Sequence, residues 1–357
     1  MKAARGLSLP TDLWRPFMKV SIIGAGLIGA RRAHVAQKFG DEVVSVFDTD
    51  LKRGRQLAEE IGAQMAPSAT EAIQAAAIVV IATPNKFLTP LALQALQAGR
   101  HVLIEKPMGR NVEEAFQIFT TLRDCRGVVF KVGFNHRYHP ALLAAHKALT
   151  EGRIGKPTFI RAVYGHGGRP GYEQEWRGNA ELAGGGELTD QGVHLLDLIC
   201  WFMSRPDWVF AQRRTFVWPL QELEDNGFFT LGWADGRLAQ VHTSWTQWKN
   251  RFVFQVYGTR GAVEIEGLGG SYGEERLTIS VRKAEGGIPD VNQHAFPAPD
   301  ESWEKEWQDF RQAIQGGGVP MGHAGDGLNT MAILDAVYKS CAAFSPVSVE
   351  YIHPAAS

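Results

Sequence analysis

Short apolar runs alternate with helix-patterned segments through the first half of the chain. Lys19 to Ile23 (KVSII), Glu42 to Asp48 (EVVSVFD), Ile78 to Ala82 (IVVIA), His101 to Glu105 (HVLIE) and Val128 to Phe134 (VVFKVGF) read as strands. The spacing between them predicts helices over about 27–39, 51–61, 90–98 and 111–124. Gly99 stands where a helix stops. Asn111, with Glu114 three residues on, has the form of a helix start with a capping-box acid. Several of the strands are continuously apolar rather than alternating, which suits a parallel sheet covered by helices on both faces.

The second half changes period. A helix is expected over 188–203. Phe228 to Trp233 (FFTLGW) and Arg237 to Trp245 (RLAQVHTSW) then flank Ala234-Asp235-Gly236, a hairpin signal. Arg251 to Gly258 (RFVFQVYG) and Ala262 to Gly267 (AVEIEG) flank a second tight turn. Two helices close the chain, over about 303–315 and 326–343. The expected fold class is therefore α/β, with a doubly wound parallel sheet followed by an α+β unit carrying a large, mostly antiparallel open sheet.

At 357 residues the chain exceeds the usual size of a single core. The expected division is an N-terminal extension over 1–17, a cofactor domain over 18–138, and a substrate-binding and oligomerisation domain over 139–357. Residues 1–17 have charge but no apolar core of a signal peptide. They read as a disordered extension, as an arm that packs on a partner subunit, or as an artefact of start-site choice. Lys+Arg total 37 and Asp+Glu total 38, so the net charge is -1. That balance argues against nucleic-acid binding through phosphate neutralisation and against a polybasic membrane surface. No apolar run approaches the length of a membrane span. Cys125, Cys200 and Cys341 are odd in number and far apart, so neither a disulfide framework nor a zinc cluster is expected, and a cytoplasmic location is.

Gly24, Gly26 and Gly29 form G-x-G-x-x-G between the first strand and the first helix. The first glycine permits a tight turn, the second lets backbone approach a pyrophosphate, and the third lets helix and strand pack closely. The helix start then offers free N–H groups to phosphates. Asp48 ends the next strand, 19 residues after Gly29, where a carboxylate meets the adenosine ribose. NAD is therefore expected over NADP, although Arg53, one turn further on, stands where it can greet a phosphate.

Three further stretches follow in order: ATPNKFLTPLALQALQAGRHVLIEKPMG (82–109), GFNHRYHP (133–140) and GGGELTDQGVHLLDL (184–198). Together with GAGLIG they resemble the glucose–fructose oxidoreductase / inositol dehydrogenase family, known as Gfo/Idh/MocA, over nearly the whole chain from Met18. The resemblance implies a Rossmann domain, a C-terminal open-sheet domain that forms dimers or tetramers, and NAD(P)-linked oxidation of sugars, inositols or related alcohols. It implies a cofactor-binding set of Gly24, Gly26, Leu27, Ile28, Gly29, Asp48, Thr83, Pro84, Asn85, Glu105 and Lys106. It also places Lys106, Asp190 and His194 in catalysis, with the Lys106–Pro107 bond often cis. One departure is Leu88, which stands where the family commonly has a histidine in T-P-N-x-x-H.

The residues themselves allow the same chemistry. Oxidising an alcohol needs a base for the hydroxyl proton, a donor for the developing alkoxide and a hydride acceptor. His194 suits the base because imidazole exchanges protons near neutrality. Lys106, at a strand end, suits the donor. Asp190 lies four residues before His194, on one face of an expected helix. It can orient His194, stabilise its imidazolium or bind a neighbouring hydroxyl, or merely cap the helix. Asp and His at that spacing are also a metal pair, but no third ligand is evident and no metal is expected. Asp197 is read as structural.

Asn135, His136, Arg137 and Tyr138 follow a strand end and are expected to face the cleft. The glycine-rich stretch after it brings Tyr164, His166, Arg169, Tyr172, Trp176 and Arg177, read as a loop over the site. Asn135, His136, Arg137, Tyr164, His166, Trp176, Arg177 and Gln191 form the expected substrate set. Aromatic and hydrogen-bonding groups together suit a sugar, and the cations suit a phosphate, a carboxylate or a nucleotide diphosphate. The preferred substrate is a hexose or hexose derivative, nucleotide-linked or not, reacting at a ring secondary hydroxyl. A cyclitol is the nearest alternative. Two others are a lyase or glycosidase using NAD for transient oxidation, and a non-catalytic NAD-binding regulator. Trp233, Trp245 and Trp248 are expected on the open sheet, where self-association as a homodimer or homotetramer would cover them.

Overall fold

The structure is a computed structural model, and it describes residues 17–297 and 299–352. The N-terminal extension therefore lies outside the described residues except for Phe17. The first half runs β1 (Lys19–Ile23), α1 (Leu27–Lys38), β2 (Glu42–Phe47), α2 (Leu51–Ile61), β3 (Gln64–Met65), α3 (Ala69–Ala75), β4 (Ile78–Ile81), α4 (Asn85–Gln97), β5 (His101–Ile104), α5 (Val112–Asp124) and β6 (Phe130–Val132). These strands form a six-stranded, all-parallel sheet in the order β3-β2-β1-β4-β5-β6. Every residue of β4 is buried, as a strand covered on both faces must be. The order reverses between β1 and β4, which opens a crevice at the carboxyl ends of the strands.

Local chemistry sets the helix ends. The Asp50 side chain accepts from the N–H groups of Lys52 and Arg53 to start α2, and Gly62 ends it in the left-handed region. Asn111 accepts from the Glu114 N–H as expected. The Glu114 carboxylate turns instead to the Arg110 guanidinium and N–H. The α4 helix begins at Asn85, earlier than periodicity predicts, and carries Pro90 inside its first turns.

After a 3₁₀ turn at Asn135–Tyr138 come α6 (Pro140–Thr150), β7 (Pro157–Gly165) and α7 (Ala180–Ala183). A π turn at Leu188–Gly192 leads into α8 (Val193–Met203). The strands β8 (Trp208–Arg214), β9 (Asn226–Gly232), β10 (Leu238–Ser244), β11 (Arg251–Gly258), β12 (Gly261–Glu266), β13 (Glu275–Val281) and β14 (Asp290–Phe296) follow, then α9 (Ser302–Gly316), α10 (Ala324–Ala343) and β15 (Val347–Ser348). The nine-stranded sheet has the order β14-β13-β12-β11-β7-β10-β9-β8-β15. Only the β7–β10 pair is parallel. Both expected hairpins form, β9–β10 and β11–β12. In the first, Gly236 takes the left-handed turn position at φ 91°.

The helices α6, α8 and α10 pack on one face of this sheet. Its other face exposes Phe159, Phe210, Phe228 and Leu238. The expectation for the tryptophans is corrected here. Trp233 and Trp245 are buried, and only Trp248 is exposed, in the turn after β10. Burying an indole gains far more apolar area than leaving it on a solvent face, so the core takes two of the three.

The chain returns to the first sheet through α9. Trp307 and Phe310 pack with Val20, Ile22, Ala33 and Val46, and the Trp307 indole N–H donates to Asp41 at 2.9 Å. Glu306 lies between the buried cations Arg32 and Lys131. Arg32 also binds Glu105 through Nε at 2.8 Å. This buried network fixes α9 against the strand end that carries Glu105 and Lys106.

Candidate active site

A cleft of about 890 Å³ lies between the parallel-sheet crevice and the second sheet, at the upper end of the range for small-molecule sites. Gly24 lines it with φ +98°, and a Cβ there would lie 2.4 Å from the Ala82 carbonyl oxygen. A Cβ on Gly29 would lie 1.8 Å from the Gly24 carbonyl oxygen, so α1 can approach β1 only without a side chain. Around Gly26, in contrast, there is open space. Gly26 is the N-cap of α1 and no side chain caps that helix. The first N–H groups of α1 thus lie beside this open space, which fits a pyrophosphate. Leu27 and Ile28 line the same wall.

Asp48 closes the far end of this wall. It accepts from the N–H groups of Ala25 and Asp50 at 2.7 and 2.8 Å. Arg53 adds two contacts, at 3.1 and 2.8 Å. Burial works against the charged form, but the Arg53 guanidinium and the two N–H groups outweigh it and hold the carboxyl below its ordinary range.

Thr83, Pro84 and Asn85 line the middle of the cleft. The Asn85 amide donates to the Ala183 carbonyl at 2.8 Å, tying α4 to α7. Among the described residues the buried Thr83 hydroxyl has no hydrogen-bond partner, which leaves it a bond to give to a bound molecule. Leu88 is fully buried in the hydrophobic core. The position occupied by histidine in the family therefore offers no polar group here. Glu105 lines the cleft while its carboxylate is held by Arg32.

The Lys106–Pro107 bond is cis. The Lys106 ammonium donates to the Asp190 carbonyl at 2.7 Å and to its Oδ1 at 2.9 Å. Arg177 lies 3.4 Å from the other Asp190 oxygen. Burial alone would raise the Asp190 pKa, but Lys106 and Arg177 hold it well below the usual carboxylate range. Among the described residues no hydrogen bond joins the Asp190 carboxylate to His194. The reading of Asp190 as the group that orients His194 gives way to an Asp190–Lys106 pair, formed where the π turn interrupts the expected helix.

His194 is buried and stacked on His136, with ring centroids 3.7 Å apart and planes at 14°. Burial, then Lys106 and His139, pushes its pKa well below the ordinary imidazole value. His136 is pushed the same way, by burial first and then by His194. Asn135 Oδ1 lies 3.1 Å from His136 Nδ1, and the Tyr164 hydroxyl lies 3.0 Å from His136 Nε2. Both imidazoles therefore favour the neutral form, and a neutral imidazole can accept a proton.

Tyr164, His166, Trp176, Arg177 and Gln191 line the same cleft with Asn135 and His136. The cations there are already engaged. Arg177 stacks on Trp176 at 4.4 Å and faces Asp190, while Arg169 pairs with Glu175. Arg137 does not face the cleft. It is buried, with Nε and Nη2 on Asp197 at 2.8 and 2.6 Å and Nη1 on Asp326 at 3.1 Å. A backbone 3₁₀ turn aims it at α8 rather than at the strand end.

The fold also brings His166 and Glu187 to Asp190, with ligand atoms within 4.8 Å of one another. Sequence spacing gave no sign of this grouping. Burial, then Asp190 and Glu224, favours the protonated form of Glu187. Lys106 and Arg177 already balance the Asp190 charge, so the local field favours the paired carboxylate over a further cation.

Among the cleft residues that sequence reasoning missed are His139, Tyr272, Asp300 and Trp303. Tyr272 sits in the run Gly267-Leu-Gly-Gly-Ser-Tyr-Gly273, whose glycine density was a usable signal. Trp303 enters on α9 from far along the chain, with no local mark.

Residues 18–134 match the family described as "Oxidoreductase family, NAD-binding Rossmann fold". Residues 142–264 match "GFO/IDH/MocA C-terminal domain". The chain is similar to a 1,5-anhydro-D-fructose reductase of Ensifer adhaerens, 30% identical over 91% of this chain and 94% of that protein. It is also similar to an inositol 2-dehydrogenase of Rubrobacter xylanophilus, 26% identical over 94% of each chain. Among solved structures, a levoglucosan dehydrogenase in complex with NADH shares the fold, with TM-score 0.85 and 24% identity over 94% of this chain and all of that one.

Proposed function

The chain belongs to the GFO/IDH/MocA oxidoreductase family, and from that premise we propose that it oxidises a ring secondary alcohol of an uncharged hexose-type sugar with NAD. The observation that carries this reading is the meeting of Lys106, Asp190 and His194 in the cleft that also contains the glycine turn. Residues 18–138 are read as the cofactor domain and 139–357 as the wall that holds the sugar. The relatives act, by their names, on an anhydro sugar and an inositol. A cyclitol is therefore the nearest alternative substrate.

Each residue has a task. When bound, NAD supplies the hydride acceptor. The Lys106 ammonium has three donors and spends two on Asp190, which leaves one for the reacting hydroxyl oxygen. Its charge steadies the alkoxide as the proton leaves. Asp190 fixes where that ammonium points. His194, held neutral by burial, takes the proton. Tyr164, His166, Trp176 and Gln191 offer aromatic faces and hydrogen-bonding edges to the sugar ring. Arg169 pairs with Glu175, and Arg177 shares Asp190 with Lys106, so both guanidiniums already have carboxylate partners, which favours an uncharged substrate over a phosphorylated or nucleotide-linked one.

The bare face of the nine-stranded sheet supports self-association. Phe159, Phe210, Phe228 and Leu238 are exposed there, and a second copy would cover them. No helix among the described residues is long and apolar enough to cross a membrane, and Cys125, Cys200 and Cys341 are free thiols. Both suit a cytoplasmic enzyme. The test of function is NADH formation across a panel of neutral sugars, sugar phosphates, nucleotide sugars and inositols. A neutral hexose or anhydrohexose is expected to give the highest kcat/KM. No NADH from any member, with NAD tightly retained, would favour transient oxidation in a lyase or glycosidase.

A further inference from the structure

Glu224 stands just before β9, is buried, and is not among the residues that line the cleft. One of its oxygens, Oε1, collects three donors. They are the Gly186 N–H at 3.0 Å, the Leu188 N–H at 3.0 Å and the Tyr338 hydroxyl, from α10, at 2.9 Å. The Glu224 backbone carbonyl takes the N–H between the first two, that of Glu187, at 3.0 Å. N–H groups at the start of a helical segment have no partner within it, and here three in succession end on one residue. The Tyr338 hydroxyl also lies 2.9 Å from Thr189 Oγ1. The contacts thus run from Gly186 to Thr189 and stop at Asp190.

The glycines before the turn record the same anchor. A Cβ on Gly186 would lie 2.2 Å from the Glu224 carbonyl oxygen, and one on Gly185 would lie 2.2 Å from the Tyr338 hydroxyl. Neither glycine has a positive φ, so close approach rather than backbone conformation excludes a side chain there. Both hydrogen bonds that fix the Lys106 ammonium end on Asp190, one of them on the carbonyl of the π turn. We propose that Glu224, braced by Tyr338, is a positioning residue: by accepting hydrogen bonds, and not through its charge, it builds the turn that presents Asp190 to Lys106. Its other oxygen meets only the half-exposed Arg213, at 3.3 Å, a pair that contributes little. The proposal rests on the reading of Lys106 as the donor to the reacting oxygen.

The test compares the wild type with Glu224→Gln, Glu224→Ala, Tyr338→Phe and Lys106→Ala. Amide hydrogen exchange reads the turn over 186–192, and labelling of Lys106 by acetic anhydride, followed by mass spectrometry, reads the hold on the ammonium. NADH formation from D-glucose, a neutral hexose, reads turnover, and titration reads NADH affinity. Glu224→Gln keeps Oε1 and is expected to match the wild type throughout. Glu224→Ala is expected to exchange about tenfold faster over the turn, to label faster at Lys106, and to lose about tenfold or more in kcat with NADH affinity unchanged. Tyr338→Phe should move the same way by less, and it carries the comparison if Glu224→Ala does not fold. Exchange and labelling decide the anchor whether or not D-glucose is a substrate. Wild-type values for both in Glu224→Ala and Tyr338→Phe overturn it, and so does a Glu224→Gln as impaired as Glu224→Ala. If Lys106→Ala turns over like the wild type, the donor reading fails and the proposal falls with it. If Lys106→Ala is slow while Glu224→Ala and Tyr338→Phe keep wild-type turnover, only the positioning role falls.

Discussion

The Lys106 ammonium grips one residue twice, at the Asp190 carbonyl and at the Asp190 carboxylate, 2.7 and 2.9 Å away. The double contact fixes the cation in direction as well as place, because the carbonyl comes from the π turn and the carboxylate from its side chain. Lys106→Ala removes the donor to the reacting oxygen, and His194→Ala removes the proton acceptor. Each substitution is expected to lower kcat by about 100-fold or more. NADH affinity, measured by titration, should survive both. Turnover near wild type in either variant would remove that residue from the proposed chemistry.

Burial and neighbouring cations hold His194 and His136 neutral to lower pH than a free imidazole, whose reference value is 6.5. The base is active when neutral, so the acid limb of kcat/KM for oxidation should lie clearly below that value. Stability follows the same groups. In the unfolded chain both imidazoles take protons as pH drops through about 6.5, while in the folded protein they resist. The unfolded chain then binds more protons, and stability falls as the solution becomes acidic. Urea unfolding midpoints between about pH 5 and 8 check this. His194→Gln should flatten the slope; an unchanged slope would locate the acid sensitivity elsewhere.

Those two imidazoles also mark where sequence reasoning reached its limit. The turn at Gly24, Gly26 and Gly29 and the position of the lysine after the fifth strand were legible, because each depends on local backbone geometry. The stacking of His194 on His136 was not legible, because it joins an α8 residue to a 3₁₀ turn in another part of the chain. The π turn at Leu188–Gly192 leaves no periodic trace distinct from a helix. The grip of α9 on the first sheet, through Glu306, Trp307 and Phe310, depends on partners far upstream, Arg32 and Asp41 among them. Trp233 and Trp245 looked like surface aromatics because alternation along a strand does not say which face is covered.

The uncovered face can be tested directly. Phe228 stacks on His242, with ring centroids 4.2 Å apart, on the side of the sheet away from the helices, and is exposed. Light scattering at micromolar concentration is expected to give a dimer or tetramer for the wild type. Phe228→Asp should shift it towards monomer with its circular dichroism unchanged, since a charge on that face opposes burial against a second copy. A monomeric wild type would show that the face is left open to solvent.

Arg137 separates a packing role from a binding role. Its guanidinium holds Asp197 bidentately and reaches Asp326. Burial pushes the Asp197 carboxyl up to about 6 even with Arg137 pulling it down. Arg137→Ala would leave that carboxyl buried and unpaired, so a loss of about 3–5 kcal/mol is expected from chemical unfolding. Arg137→Ala with Asp197→Leu should recover part of the loss, because a buried pair can be exchanged for apolar packing. The KM for sugar in the folded protein should change little in either variant, since Arg137 lies outside the cleft. A large rise in KM at unchanged stability would return Arg137 to the substrate site and overturn its assignment to the core.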